Sequence, residues 1–151
     1  MRGVYFHSED DVNNKDFIKI FNNINLDNYR MKIGYQEFYN SKNGGQIEIC
    51  EEIRGSKFLK FCNDNNFYTI FLEMFIYEKN DYIEKFPKDY NEYMKSPCKM
   101  ALFIVDSASI EIYSKDDNIT KTIMKNISDK RYSDQEYTTD ENDGRTRFSV
   151  W

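Results

Sequence analysis

The residues best suited to bind a ligand form one polar cluster close to the C-terminus. Carboxylates in such a cluster can hold a divalent cation, and guanidinium groups can bind an anion or pair with a carboxylate. We treat six residues as a candidate binding or structural cluster: Asp140, Glu141, Asn142, Asp143, Arg145 and Arg147.

Two metal-binding hypotheses apply to this cluster. Asp140, Asn142 and Gly144 match the opening of a calcium-binding loop, but the twelfth position counted from Asp140 is Trp151 instead of a glutamate. The missing bidentate ligand argues against a loop of that class. A looser magnesium site on the three carboxylates of the cluster stays open as an alternative, because Mg²⁺ needs few direct protein ligands.

The interpretation that we favour for the cluster is structural. Asp140 and Asp143 are placed to cap a turn through hydrogen bonds between their side chains and the backbone. Arg145 or Arg147 can then fix that turn to a carboxylate on a neighbouring segment. Trp151 would hold the last predicted strand against the core.

Nucleophilic catalysis has little support in the residues. His7 is the single histidine, and a catalytic pair would have to join it to Ser107 or to one of three scattered cysteines, Cys50, Cys62 and Cys98. No spacing brings any such pair together, and no recognised nucleophile motif is present. We therefore predict no catalytic residue, no metal ligand set and no cofactor, and we lean against an enzyme.

Aromatic residues are unusually frequent, with 12 Tyr and 12 Phe. Tyrosine is enriched where proteins meet proteins, so we name Tyr29, Tyr35 and Tyr39, which fall in one predicted region of sheet, as a candidate interface. A second group comprises Tyr77, Tyr82, Tyr90 and Tyr93. The alternative is that these rings fill a core short of Leu and Val.

The charge balance narrows the class of partner. The chain has 21 Lys and Arg against 26 Asp and Glu, a formal net charge of −5. This acidic balance argues against binding to nucleic acid or to an anionic membrane surface. The chain has no apolar run long enough to span a bilayer, and the N-terminus turns acidic at Glu9, so we expect a cytoplasmic protein.

The predicted elements alternate between strands and short helices. Strands are predicted over residues 2–7, 29–35, 37–39, 46–50, 67–77, 99–106, 109–113, 136–138 and 146–151. Helices are predicted near 17–24, after a capping box at 8–11, and over 55–63, 87–95 and 116–127. Segments 67–77 and 99–106 are apolar on both faces, which predicts central strands. Short connections favour a single α+β domain over 1–151, with a largely antiparallel or mixed sheet and three or four short helices.

Two segments carry a resemblance to a known family. They are the strand and loop at 102–107, Leu-Phe-Ile-Val-Asp-Ser, and the terminal Thr-Asp-Glu-Asn-Asp-x-Arg-Thr-x-x-Ser-Val-Trp at 139–151. The chain resembles the domain of unknown function 2691, a family of small proteins from relatives of Bacillus and Clostridium. The similarity runs along the whole chain and implies one domain from a low-GC Gram-positive bacterium. It implies no reaction, ligand or catalytic residue.

Three functional hypotheses follow. The first is a non-catalytic protein-binding module, antitoxin-like or immunity-like, whose acidic surface and tyrosines suit a basic protein partner. The second is a small ligand-binding or divalent-metal-binding domain, or an enzyme, that uses the C-terminal acidic and arginine cluster. The third is self-association through an unpaired edge strand, such as 109–113 or the last strand.

Overall fold

The structure, a computed structural model, describes residues 1–81, 83 and 85–151. In this part of the chain it contains eight strands, four α-helices and one 3₁₀ turn at Leu26–Asn28. The elements are, in order, β1 (Gly3–Ser8), α1 (Asn14–Ile20), β2 (Tyr29–Asn40), β3 (Gln46–Ile47), β4 (Glu52–Arg54), α2 (Gly55–Asp64), β5 (Phe67–Glu78), α3 (Tyr90–Lys95), β6 (Met100–Val105), β7 (Ser109–Ser114), α4 (Asp117–Asn126) and β8 (Tyr132–Thr138).

All eight strands belong to one antiparallel sheet. The strand order is β3-β2-β5-β6-β7-β1-β8, and β4 also pairs with β2. The predicted α+β domain is confirmed, and the sheet is antiparallel at every pairing. The two strands predicted to be central, β5 and β6, lie side by side within the sheet, as their apolar residues on both faces require.

Each face of the sheet carries its own core, because side chains along a strand alternate between the faces. On the first face, Phe6, Leu72 and Leu102 pack with residues of helices α1, α2 and α4. On the second face, Phe103 and Tyr113 pack with residues of α3, of the segment before it and of the chain end. We call residues 139–151 the terminal segment.

The strand predicted over residues 146–151 is wrong. The terminal segment has no strand structure and crosses the second face of the sheet. Its alternating residues are typical of a strand. Its backbone N–H groups, however, donate hydrogen bonds to a side chain and to a loop carbonyl, and not to a neighbouring strand. Val150 N–H donates to the Glu73 carboxylate (2.8 Å) and Phe148 N–H donates to the Lys88 carbonyl oxygen (2.9 Å).

The edges of the sheet also differ from the prediction. Residues 109–113 form most of β7, which lies between β6 and β1 and is therefore not an edge strand. The first strand of the chain inserts beside β7, a long-range pairing that local periodicity does not reveal. The edges are β8 on one side and the short strands β3 and β4 on the other.

Several local predictions need correction. The capping box lies at Asn13 and Asp16, and not at residues 8–11. The Asn13 side chain accepts a backbone N–H of the first helical turn, and the Asp16 carboxylate accepts the Asn13 N–H. β2 is one continuous strand, with a register shift on either side of Tyr35 instead of a break. The strand expected over 46–50 shrinks to β3. Thr120 of α4 is buried, and its hydroxyl donates to the Asp116 carbonyl oxygen (3.2 Å).

The helices predicted over 55–63 and 116–127 agree with α2 and α4 to within one residue at each end. Asp106 and Ser107 form the turn between β6 and β7, with positive φ angles of 52° and 63°. Asp116 caps α4, where its carboxylate accepts N–H groups of the first turn. None of the helices in the described ranges has the length and apolar character needed to cross a bilayer.

Candidate functional site

The terminal segment is anchored on the second face by Phe148. This ring is buried and lies 4.7 Å from the Tyr113 ring, 5.1 Å from Phe103 and 5.4 Å from Tyr93, measured between centroids. Contacts with three other rings make it the apolar anchor of the segment. The polar residues of the cluster are positioned around this anchor.

A row of acidic residues crosses the second face beneath the segment. Residues that pair directly on neighbouring strands point to the same face. From β8 to β2 the paired residues are Glu136, Tyr5, Glu111, Phe103, Glu73 and Tyr35. The three carboxylates Glu136, Glu111 and Glu73 therefore lie on one face, on alternate strands. The terminal segment donates hydrogen bonds to two of them, Glu111 and Glu73.

Arg145 compensates Glu111. Its Nε donates to Glu111 Oε2 (2.6 Å), and both side chains are largely buried, with 15% and 14% exposed. The guanidinium carbon lies 4.4 Å from the centre of the Phe103 ring, and Nη1 donates to the Ser149 carbonyl oxygen (2.7 Å). Arg145 thus joins the sheet to the later part of its own segment, as an ion-paired and stacked arginine can.

Asp143 is the most buried carboxylate of the cluster, with 1% of its side chain exposed. Its Oδ2 accepts a hydrogen bond from Arg2 Nη1 (3.0 Å), and its Oδ1 accepts one from the Arg145 backbone N–H (3.0 Å). The Tyr113 hydroxyl lies 2.9 Å from both Asp143 Oδ1 and Glu111 Oε1, so its single proton can be donated to either carboxylate. Burial and these two carboxylates raise the pKa of Tyr113, which keeps the phenol neutral.

The other predicted residues of the cluster lie at its edge. Asn142 closes the turn, because its Oδ1 accepts the Thr139 N–H (2.7 Å) and its Nδ2 donates to the Tyr137 carbonyl oxygen (2.9 Å). Asp140 accepts from Arg2 Nε (2.9 Å) but is 86% exposed. Glu141 and Arg147 are exposed, and within the described chain their side chains make no ion pair.

The carboxylates of the cluster do not gather around a common point. Arg2 lies between Asp140 and Asp143 and binds both. Among the residues that the structure describes, no three side chains of His, Cys, Asp or Glu are placed to hold one metal ion.

An open groove of about 520 Å³ runs between the terminal segment and the strands β1, β7 and β8. Its lining combines both charges with aromatic rings, from Tyr5, Glu111, Glu136, Arg145, Arg147 and Trp151 among others. On its outer side the groove is bordered by β8, which pairs only with β1 in the described chain. Four of the six exposed residues of β8 and the turn at 139–142 are acidic: the six are Asp134, Glu136, Tyr137, Asp140, Glu141 and Asn142.

The structure brings together two of the three candidate interface tyrosines. Tyr35 lies 5.3 Å from the Trp151 ring on the second face, and Tyr39 stacks on Tyr68 (5.5 Å) on the same face. Tyr29 instead packs against the core of the first face. The predicted group therefore divides between the two faces.

The second group of tyrosines contributes to the core. Tyr77 and Tyr93 are buried, and Tyr90 is half-buried with the Arg2 guanidinium carbon 3.9 Å from its ring centre. Tyr82 lies outside the described residues. Tyr77, Tyr90 and Tyr93 therefore have most of their side-chain surface buried in the core.

Comparison with known proteins gives the family of this chain. The family model described as "Protein of unknown function (DUF2691)" matches residues 1–149. The chain belongs to the DUF2691 family. The resemblance inferred from the terminal motif is therefore confirmed. An uncharacterised protein of Bacillus subtilis (strain 168), YncE, is 27% identical over 156 residues, covering 99% of each chain. No solved structure matches this protein.

The partners of the terminal segment in this DUF2691 protein were not predicted from the sequence. They are Arg2, Glu73, Glu111 and Tyr113. One signal was present: Glu73 interrupts the apolar run 67–77 at a central strand. A carboxylate in such a position needs a partner, and the structure supplies the Val150 N–H of the terminal segment.

His7 lies on β1, and two of the three thiols are buried. The cross-strand neighbours of His7 are Ser109 and Ser133. Cys62 and Cys98 are buried, and burial raises the pKa of each thiol to about 12. These two thiols are therefore protonated at neutral pH and are weak nucleophiles.

Proposed function

We propose that this protein is a non-catalytic, cytosolic binding module that recognises a basic, extended segment of another protein along β8. The observation that carries the proposal is the acidic edge strand, which pairs on one side only within the described chain. An open edge can bind an extended segment as an added strand. The exposed acids Asp134 and Glu136 on the strand, followed by Asp140 and Glu141, supply a charge complement for a basic one.

The alternation of side chains indicates how such a segment would be recognised. Glu136 points to the second face, towards the groove, because it pairs with Tyr5 in the acidic row. Tyr137, the next residue, points to the first face and is 37% exposed. An added strand would place basic side chains beside Glu136 and apolar side chains beside Tyr137. Its backbone would contribute affinity through main-chain hydrogen bonds to β8.

A partner other than a second copy is favoured by charge. Pairing of two β8 strands would bring the acids of one copy close to those of the other, and like charges across strands destabilise a pair. The register shift of β8 around Asp134, whose φ is 56°, adds a local irregularity to the edge. Such irregularities reduce the pairing of identical edges.

The remaining chemistry supports a binding role. Glu111, Asp143 and Arg145 are held by one another and by Arg2 and Tyr113, so they are engaged in fixing the terminal segment. The three cysteines are free, which suits a reducing compartment such as the cytoplasm.

The proposal is tested with a synthetic octapeptide that alternates Lys with Thr and Val. We expect saturable binding that weakens with salt, and a loss of about tenfold or more in affinity for Glu136→Lys. A peptide with Glu in place of Lys should not bind. Asp27→Lys, which changes an exposed acid on the 3₁₀ turn, is the matched control and should bind normally.

Backbone pairing is tested separately. N-methylation of alternate peptide amides removes the donors of the added strand, so binding should be lost in one of the two methylation registers. Equal affinity for Glu136→Lys and the natural protein, or equal affinity of all methylated peptides, would contradict the proposal.

A further inference from the structure

The acidic row on the second face repeats one acid–ring unit, in which a carboxylate lies beside an aromatic ring of the next strand. The three acid–ring units are Glu136 with Tyr5, Glu111 with Phe103, and Glu73 with Tyr35. The two residues of each unit pair directly across neighbouring strands, so their side chains are adjacent on this face. The row therefore offers the same chemistry at three places.

The terminal segment occupies two of the acid–ring units. The Val150 N–H donates to the Glu73 carboxylate (2.8 Å). Arg145 occupies the second unit: its Nε donates to Glu111 Oε2 (2.6 Å), and its guanidinium carbon lies 4.4 Å from the centre of the Phe103 ring. A guanidinium can form an ion pair and stack on a ring at the same time, because it is planar. An acid–ring unit of this protein is thus able to bind a guanidinium group.

Arg2 shows the same combination of ion pair and ring. Its Nη1 donates to Asp143 Oδ2 (3.0 Å), and its guanidinium carbon lies 3.9 Å from the centre of the Tyr90 ring. Lysine ammonium nitrogens lie farther from the ring centres that they face, at 5.7, 5.6 and 4.8 Å for Lys19, Lys32 and Lys115. In this molecule, arginine therefore makes the closer contact with aromatic rings.

The remaining acid–ring unit, Glu136 with Tyr5, lines the open groove of about 520 Å³. Glu136 is exposed and forms no ion pair within the described chain, and Tyr5 is half-buried. Among the residues that the structure describes, no lysine or arginine lies over the Tyr5 ring. A cation that enters the groove from solvent can therefore reach both groups.

A positive charge in the same groove makes the kind of cation matter. Arg147 lines the groove, is exposed and forms no ion pair within the described part of the chain. Its charge opposes the binding of any cation nearby. An arginine gains both an ion pair and a stacked ring in this unit, whereas the compact, strongly hydrated ammonium of lysine gains mainly from its charge. The groove should therefore prefer arginine to lysine.

We propose that the unit of Glu136 and Tyr5 binds the guanidinium of an arginine side chain carried by the basic segment. This inference rests on the proposed function, which supplies the segment, and it adds the type of residue that the segment presents to the groove. On an added strand, the residue opposite Glu136 lies about 4.8 Å from β8 and roughly 10 Å from β1. A long side chain extended across Glu136 reaches the Tyr5 ring, where its guanidinium stacks as that of Arg145 does on Phe103.

The test compares the alternating Lys octapeptide with the same peptide carrying Arg at each Lys position. We expect the natural protein to bind the Arg peptide at least about threefold more tightly at equal salt in titration calorimetry. A third peptide carries citrulline, which has nearly the shape of arginine without its charge. It should bind more weakly than the Arg peptide, because it cannot form the ion pair with Glu136.

Variants of the groove separate stacking from charge. Tyr5→Leu removes the ring and should abolish the preference for Arg over Lys, while the affinity for the Lys peptide changes little. Tyr5→Phe keeps a ring and is the matched control, so the preference should remain. Arg147→Gln removes the opposing charge and should tighten binding of both basic peptides. Circular dichroism confirms that each variant is folded.

The results distinguish this inference from the proposed function. Equal affinity of the natural protein for the Arg and Lys peptides would overturn the inference and leave strand addition at β8 intact. A folded Tyr5→Leu variant that still prefers the Arg peptide would overturn it as well. If none of the peptides binds, both the inference and the proposed function are wrong.

Discussion

At the scale of single residues, burial separates two neighbouring aspartates of the terminal segment. Asp143 is enclosed and accepts hydrogen bonds from Arg2 and the Arg145 backbone, whereas Asp140 binds Arg2 from the solvent side. An exposed ion pair contributes little, because solvent screens it and ordering the side chains costs entropy. Removal of a buried acceptor instead leaves its donors unpaired.

These two aspartates give a matched pair of variants. We expect Asp143→Ala to lower the free energy of unfolding by about 2 to 3 kcal/mol, because it leaves buried donors unsatisfied. Asp140→Ala should change it by less than about 0.5 kcal/mol. Urea denaturation followed by circular dichroism measures both, and equal effects of the two substitutions would contradict the structural role given to Asp143.

The buried thiols predict how stability depends on pH. Burial raises the pKa of Cys62 and Cys98 from 9.0 to about 12, so unfolding favours the deprotonated thiols at alkaline pH. Their contribution to stability is complete below pH 9.0 and is lost as the pH rises towards about 12. Buried tyrosines with raised pKa, such as Tyr93 and Tyr132, add to this loss above their ordinary pKa of 10.0.

Urea midpoints measured at intervals from pH 7 to pH 11 check this dependence. We expect a plateau up to about pH 9 and a progressive fall above it. A stability that rises between pH 9 and pH 11 would show that these groups are not buried as described.

At the scale of elements, the terminal segment depends on one ring for its attachment. Phe148 is buried among Tyr113, Phe103 and Tyr93, whereas Trp151 contacts Tyr35 but is 64% exposed. Phe148→Ala should lower the free energy of unfolding by about 3 to 4 kcal/mol, and Trp151→Ala by less than about 1 kcal/mol.

Hydrogen exchange distinguishes detachment of the segment from general loosening. In Phe148→Ala, two amides should lose protection from exchange first. They are the N–H of residue 148, which donates to the Lys88 carbonyl oxygen, and the N–H of Val150, which donates to the Glu73 carboxylate. Loss of protection that begins in β5 and β6 would contradict a segment that is attached to a preformed sheet.

The elements also show what periodicity can predict. β5 and β6 were predictable because their signals are local: apolar runs with large side chains on both faces. Residues 146–151 were predicted as a strand because their side chains alternate as in a strand. Their actual position depends on the ring of Phe148 and on Glu73, which is 77 residues from Val150 in the sequence.

At the scale of the whole molecule, strand order was the largest gap in the sequence-based prediction. β1 inserts between β7 and β8, so residues far apart in the chain become neighbours. The cluster itself could be located from its composition, but its partners could not. Arg2 lies 141 residues from Asp143, and no local pattern links them.

The acidic edge predicts the oligomeric state. With Asp134 and Glu136 in place, like charge should keep the protein monomeric in light scattering at low salt. Replacement of both acids by Thr leaves a neutral β-forming edge and should promote self-association. A stable dimer of the natural protein at low salt would contradict this role of the acids.

The most direct test of the binding function is hydrogen–deuterium exchange of the protein with and without the alternating basic octapeptide. An added strand protects backbone amides on the outer side of β8 and changes exchange little in β3 and β4 at the opposite edge. We predict new protection confined to Tyr132–Thr138 and the adjoining turn. Unchanged exchange at saturating peptide, or protection centred on another surface, would contradict the proposed function.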